Sequence, residues 1–356
     1  MVTGKDVARL AGVSQSAVSL ALRDDTRISP STKAKILEAA RTLGYTPSQL
    51  GRSLATRRTG RIAVVAGEMI NPFYPALIAP LHDALISAGY SMVLVSAGRD
   101  RADLAPIFDG SIDGVVLAAS TVTSPVPQQL ARANVPFVFL NREVDGVVAD
   151  ASIPDNDAGV EALVQMLFEQ GHRRFGLISG PSDVSTARSR HLAYQRALAD
   201  HDLALRSEHV IVGDYSHETG QDGLRALTAL SKPPSAIFCS NDVIALGALD
   251  AAIADGISIP EQLSVVGFDD IPMAAWAAFG LTTVRVDLPA MANGAAELLL
   301  ARIDDHLLPK VRLLARSTLK LRATHGPAPS DAPGHGQVGL VGGASLPRVR
   351  GGVQSN

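Results

Sequence analysis

The chain carries one cysteine, Cys239, in 356 residues. This excludes an internal disulfide framework and a multi-cysteine zinc site. No run of about 18 apolar residues lacks a polar interruption, which argues against a membrane span. The first ten residues hold Lys5, Asp6 and Arg9 where a secretory leader needs an apolar run. There is no GxGxxG after the first apolar strand, no Walker motif and no GxSxG elbow. His82, His172, His191 and His217 are scattered without HExxH spacing. We therefore expect a soluble cytoplasmic protein that is not an enzyme, with no catalytic residues, metal or cofactor.

What is present is an ordinary globular balance, 46% hydrophobic and 19% charged, with enough length for two or three domains. The net charge of -3 hides an asymmetry: residues 1–61 carry +7 and the remainder -10. A basic N-terminal block on an acidic body points to a polyanion as partner for the block. Charge alone fits a solvated surface equally well, so the pattern has to decide.

Thr3 and Asp6 can form a capping box for a first helix from about Gly4 to Ala11, with Val7, Ala8 and Leu10 available for packing. Gly12 suits a left-handed turn, and Ser14 caps a second helix through about Leu22. Ala8, Gly12 and Val18 are spaced as in a helix-turn-helix: a small residue at the crossing, a turn, and a locking apolar residue. Ser29-Pro30 opens a third helix to about Leu43, with Ile36, Leu37, Ala40 and Leu43 on its apolar face. The segment from Ser48 to about Ala55 places Leu50 and Leu54 one turn apart. It falls short of the roughly 12–15 residues an isolated helix needs, so it is expected to order only when held.

Lys5-Asp6-Val7-Ala8, Ala11-Gly12-Val13-Ser14, Val18-Ser19, Leu43-Gly44-Tyr45-x-Pro47 and Arg52-Ser53-Leu54 resemble, in order and spacing, the DNA-binding headpiece of the LacI/GalR family of bacterial transcriptional regulators. The resemblance implies a recognition helix in the major groove of a palindromic operator and a hinge helix whose leucine wedges into the minor groove. The implied DNA-binding residues are Thr3, Ser14, Gln15, Ser16, Ser19, Leu20, Arg52 and Leu54. Leu20 stands where the family often has Arg, His or Asn; it cannot hydrogen-bond a base edge but can touch a thymine methyl. By pattern alone, Gln15 and Ser16 also fit ordinary exposed helix residues, and Leu54 a core leucine.

From Arg61 onward short apolar runs alternate with amphipathic stretches. Strands are expected at Ile62–Ala66, Ser91–Val95, Gly114–Leu117 and Pro136–Leu140, with a helix at Phe73–Ala88. After Asn156 the pattern repeats, with strands at Phe175–Ser179, Val210–Val212, Ala236–Cys239 and Leu263–Gly267 and helices between. Such alternation implies parallel sheets covered by helices, here in two successive lobes. The stretch Arg99–Ser111 is short for a full helix between two strands. In open parallel sheets ligands sit beyond the carboxyl ends of the strands, where this chain collects its polar residues.

Asn71-Pro72-Phe73, Gly171-His172-Arg173-Arg174, Ser179-Gly180-Pro181, Ser240-Asn241-Asp242 and the run Ser264 to Asp270 resemble the same family's effector core. The implied fold is α/β: an N-terminal all-α helix-turn-helix headpiece and a two-lobed, Rossmann-like, periplasmic-binding-protein-like effector domain. Its implied effector contacts are Phe73, Tyr74, Asn141, Arg190, Tyr215, Asn241 and Asp269. Forked Arg donors, an Asp acceptor and aromatic faces suit a polyhydroxylated ligand, a sugar or sugar derivative. By residue type alone, Asp269 also fits a turn aspartate and Arg190 a surface ion pair.

The expected organisation is a headpiece at 1–46, a hinge and linker at 47–60, and an effector and dimerisation domain at 61–322. The first lobe covers about 61–156 plus 287–322 and the second about 157–286. A tail at 323–356, rich in glycine and proline from His325 onward, is expected to be disordered. The expected partners are double-stranded palindromic operator DNA, a small-molecule effector and a second copy of the chain. Dimer contacts are expected on the helices Phe73–Ala88 and Ala292–Ile303.

Overall fold

The computed structural model describes residues 2–22, 25–45, 58–67, 69–96 and 105–330. Three helices come first: α1 (Gly4–Ala11), α2 (Gln15–Ala21) and α3 (Pro30–Thr42). At the start of α1 the Asp6 carboxylate accepts from the Thr3 backbone N–H at 3.0 Å and the Thr3 hydroxyl at 2.7 Å. Gly12 takes φ 64°, the left-handed turn that lets α2 start at once. Ser14 Oγ accepts from Ala17 N at 3.2 Å, and Ser29 Oγ from Thr32 N at 3.3 Å ahead of Pro30. Val7, Ala8, Val18, Ala21, Ile36, Ala39 and Ala40 form the core.

Leu10 and Leu37, expected to pack, are instead exposed. The helices cross closely enough for alanine to fill the centre, and a leucine one position off the contact stripe has nothing to face.

The body holds two six-stranded sheets. In chain order the first-sheet strands are β1 (Arg61–Ala66), β2 (Ser91–Ser96), β3 (Gly114–Leu117), β4 (Phe137–Leu140) and β5 (Asp150–Pro154). The second sheet has β6 (Phe175–Ser179), β7 (Val210–Val212), β8 (Ala236–Cys239), β9 (Ser264–Asp269) and β10 (Thr282–Val286). Two late strands complete them, β11 (Arg312–Ala315) and β12 (Ser317–Lys320). The strand orders are β11-β5-β4-β3-β1-β2 and β12-β10-β9-β8-β6-β7. All pairs are parallel except β10 with β12. In β1, Ile62, Val64 and Ala66 pack on one face while Ala63 and Val65 pack on the other. Burial on both faces explains why these strands read as unbroken apolar runs.

The covering helices are α4 (Phe73–Ser87), α5 (Ala105–Phe108), α6 (Val126–Arg132), α7 (Asn156–Glu169), α8 (Ser185–Ala199), α9 (His217–Thr228), α10 (Asp242–Ala254) and α11 (Leu288–Asp304). In the short stretch noted above, α5 is a single turn. The linker enters the first lobe against Asp113, whose carboxylate accepts from Thr59 N at 2.7 Å, Thr59 Oγ1 at 2.9 Å and Gly60 N at 2.8 Å.

Two expectations need correction. Residues 317–322 do not belong to the first lobe, because β12 runs antiparallel to β10 in the second sheet. Residues 323–330 are not a loose tail. Thr324 is buried, Gly326 accepts from or donates to His172 and Ser264, and Ala328 N donates to Gln170 O at 2.8 Å. The rest of the tail, 331–356, lies outside the described residues. The apolar face of α11 packs within its own chain through Met291, Ala292, Ala295 and Leu299, while Asn293, Glu297 and Ala301 on the same helix are exposed.

Candidate DNA interface and effector cleft

On the headpiece, Val18 and Ala21 turn the inner side of α2 into the core. Ser14, Gln15, Ser16 and Ser19 are therefore exposed, Leu20 is half-buried, and Thr3 is exposed at the start of α1. One short helix thus presents hydroxyl and amide groups together, the inventory that reads base edges and phosphates. Arg52 and Leu54 lie outside the described residues.

The second site forms where the two sheets point their carboxyl ends at each other. The lobes meet through Val122 N donating to Asp183 O at 2.8 Å, Glu143 N to Ser185 Oγ at 3.0 Å, and a bidentate Arg188–Asp145 pair with both bonds at 2.7 Å. Behind these contacts is a pocket of about 100 Å³ whose lining includes Asn141, Asn156, Ser185, Thr186 and Arg312.

On the second-lobe wall, Arg190 projects from α8 and is 2% exposed. It donates to Asn156 Oδ1 at 3.0 Å, to Ser240 O at 2.6 Å and to Asp269 Oδ1 at 2.8 Å, and its guanidinium lies 3.8 Å from the Phe268 ring centroid. Asp269 ends β9 at φ 109°, a conformation outside the strand that turns its carboxylate to Arg190. Burial holds that carboxyl above its ordinary value, against the pull of Arg190 and Arg142. Asn241 caps α10, its Oδ1 accepting from Ile244 N at 3.0 Å. Next to it, buried Asp242 accepts from Thr283 Oγ1 at 2.5 Å and Ile271 N at 2.8 Å, and burial pushes its carboxyl well up.

The first-lobe wall differs. Asn141 follows β4 at φ 70°, and its Oδ1 is buried without a hydrogen-bond partner. Arg142 comes next, its guanidinium 5.9 Å from the Tyr74 ring centroid and 5.7 Å from that of Tyr215. Tyr74 rests on Gly67 and Tyr215 on Gly180, where an added Cβ would sit 2.5 Å from each ring. Phe73 meets Tyr74 edge to face at 5.7 Å.

Tyr74, Asn141 and Tyr215 thus gather around Arg142, while Arg190 and Asp269 bond directly behind them. Asn241 is committed to its helix, and Phe73 acts on the cleft through Tyr74. Sequence reasoning missed Arg142 and Asn156, and it placed Asp242 beside Asn241 at the mouth between the lobes without giving it a role. Arg142 was findable as the residue after a strand-end Asn. Asn156 gave no local signal, since its bond to Arg190 crosses between helices.

The arrangement matches known proteins along its length. The family profile described as bacterial regulatory proteins, lacI family, matches residues 3–48, and that of a periplasmic binding protein-like domain matches residues 164–325. The probable HTH-type transcriptional repressor ExuR of Bacillus subtilis (strain 168) is 31% identical over 327 residues, 90% of this chain and 98% of that protein. The chain belongs to the lacI family. It is a DNA-binding transcriptional regulator.

Among solved structures, this lacI-family chain resembles a transcriptional regulator CelR–cellobiose complex at 30% identity and TM-score 0.70, covering 91% of this chain and 100% of that one. It also shares its fold with the Lac repressor dimer bound to operator and the anti-inducer ONPF, at 24% identity and TM-score 0.82, covering 91% and 99%. No helix among the described residues is long and apolar enough to cross a membrane.

Proposed function

We propose that this regulator is a cytoplasmic repressor of a carbohydrate-utilisation operon. It binds a palindromic operator as a homodimer and is released by a sugar or sugar derivative in the cleft between its lobes. The observation that carries the reading is the pairing, in one chain, of an exposed helix-turn-helix face with a cleft whose first-lobe groups have unmet hydrogen-bonding capacity. Gln15, Ser16 and Leu20 read bases, Thr3, Ser14, Ser19 and Arg52 hold the backbone, and Leu54 is the minor-groove wedge. Two headpieces on one palindrome supply the half-site symmetry that a single headpiece lacks.

Asn141, Arg190, Asn241 and Asp269 form the polar set around the effector, with Tyr74 and Tyr215 against its ring and Phe73 behind Tyr74. Closure of the cleft moves one lobe against the other, and the Asp113 clamp carries that motion to residues 47–55. A ligand favouring one lobe arrangement by about 2.7 kcal/mol shifts operator affinity about a hundredfold.

The test is fluorescence anisotropy on a labelled palindrome, with a carbohydrate and nucleobase panel added afterwards. A carbohydrate that releases the DNA, together with a dimer by light scattering, is the expected result. Retention of no duplex, or response to a nucleobase alone, would overturn the reading.

A further inference from the structure

The first-lobe wall of the cleft carries a cation, Arg142, with no ion-pair partner among the described residues. Rings from both lobes, Tyr74 and Tyr215, lie against the Arg142 guanidinium. A cation over a ring face still has its in-plane N–H donors available to bond. Nε is buried and has no hydrogen-bond partner, and the side chain forms no ion pair among the described residues. The buried carboxylate that feels its charge, Asp269, is already bonded to Arg190 at 2.8 Å. Arg190 takes the Asp269 carboxylate, so the Arg142 guanidinium sits between the two rings with no ion pair of its own among the described residues. Beside it the Asn141 Oδ1 is buried and unpartnered, an acceptor waiting for a hydroxyl.

We propose that Arg142 reads a carboxylate, and that the effector is a sugar acid rather than a neutral sugar. The inference rests on the carbohydrate reading of the cleft. A carboxylate is a monoanion that matches the single charge of Arg142, and its two oxygens match the guanidinium fork. A phosphate dianion would bring a second negative charge with no cation left to meet it. The hydroxyls of the same ligand donate to Asn141 and Asp269, and its C–H face lies on the tyrosine rings. Arg142 then serves as the specificity-determining residue that separates an acid from its neutral parent, because leaving its buried Nε–H unmet disfavours the neutral ligand.

Titration calorimetry on the full chain tests this with matched sets: glucose, glucuronate and glucose 6-phosphate, and the galactose equivalents. At least one uronate is expected to bind roughly ten- to a hundredfold more tightly than its neutral parent. Arg142→Gln should erase that advantage while operator binding and melting temperature stay near those of the unaltered chain. Arg142→Lys, which keeps the charge and loses the fork, should retain part of it. If Arg142→Gln does not fold, the ratio in the unaltered chain and the Arg142→Lys result decide the matter. A neutral sugar binding as tightly as its uronate, an acid preference that survives Arg142→Gln, or tightest binding by a phosphate ester would each overturn the proposal and leave the carbohydrate reading standing. Binding of no sugar of any class would overturn both.

Discussion

The two walls of the cleft are built on opposite terms. On the second-lobe side the buried charged groups are bonded: Arg190 to Asn156, Ser240 and Asp269, and Asp242 to Thr283 and Ile271. On the first-lobe side Asn141 Oδ1 and Arg142 Nε are buried with no partner. A satisfied polar network is rigid and presents a fixed template, whereas unmet buried groups are costly until something fills them. The contrast places preorganisation in the second lobe and ligand-dependent stabilisation in the first.

Breaking the satisfied wall should have the largest effect. Arg190→Ala leaves Asp269 buried beside no partner, and we expect about 3–5 kcal/mol lost from urea unfolding together with loss of effector binding. An unchanged unfolding midpoint would show that the network carries no structural weight. The headpiece offers a change of intermediate size that spares both walls. Gln15→Ala should cost about 1–3 kcal/mol at one or two operator positions, with the body's melting temperature unaffected. Equal weakening on every operator variant in a competition gel would remove Gln15 from base reading.

Asn141→Ala strikes the open wall, where no bond is lost on truncation. Alanine tolerates the left-handed backbone at φ 70° less well than asparagine, so stability should fall by about 1 kcal/mol, with effector affinity also down by about 1 kcal/mol. A much larger drop in stability would mean that the side chain has a partner in the folded chain.

The smallest expected effect comes from pH. Burial lowers the proton affinity of His172, His191 and His325 below the ordinary value of 6.5. As pH falls through that value the unfolded chain takes up protons that the folded chain resists, so stability is lost on the acid side and is constant above neutrality. Thermal melts between about pH 7.5 and about pH 5.5 should show the decline. His191→Leu, which removes a ring whose Nε2 has no partner, should flatten it.

Much of this was legible beforehand because local rules and tertiary packing agree. The strands Gly114–Leu117, Phe175–Ser179, Val210–Val212 and Ala236–Cys239 fall where the apolar runs placed them. The caps at Ser14 and Ser29 fall where their short oxygens and the following helical pattern require. The late strands β11 and β12 were not legible. Leu313 and Leu314 are exposed, Ser317 to Lys320 are all half-buried, and neither run alternates as an ordinary edge strand does. Their pairing comes from the positions of β5 and β10, contributed by residues far earlier in the chain or just before the last helix.

The sequence by itself determined the headpiece, the positions of eight of the parallel strands and the clustering of polar residues at their carboxyl ends. Each of these follows from spacing within a few residues: a cap, a turn glycine, a period of two or of 3.6. Only the tertiary structure decided which of those polar residues are already bonded. Arg190 and Asp269 are 79 positions apart, and Arg142 meets Tyr74 and Tyr215 from opposite lobes. Whether a buried group has a partner depends on distances between segments that share no local pattern, and no periodicity along the chain can encode it.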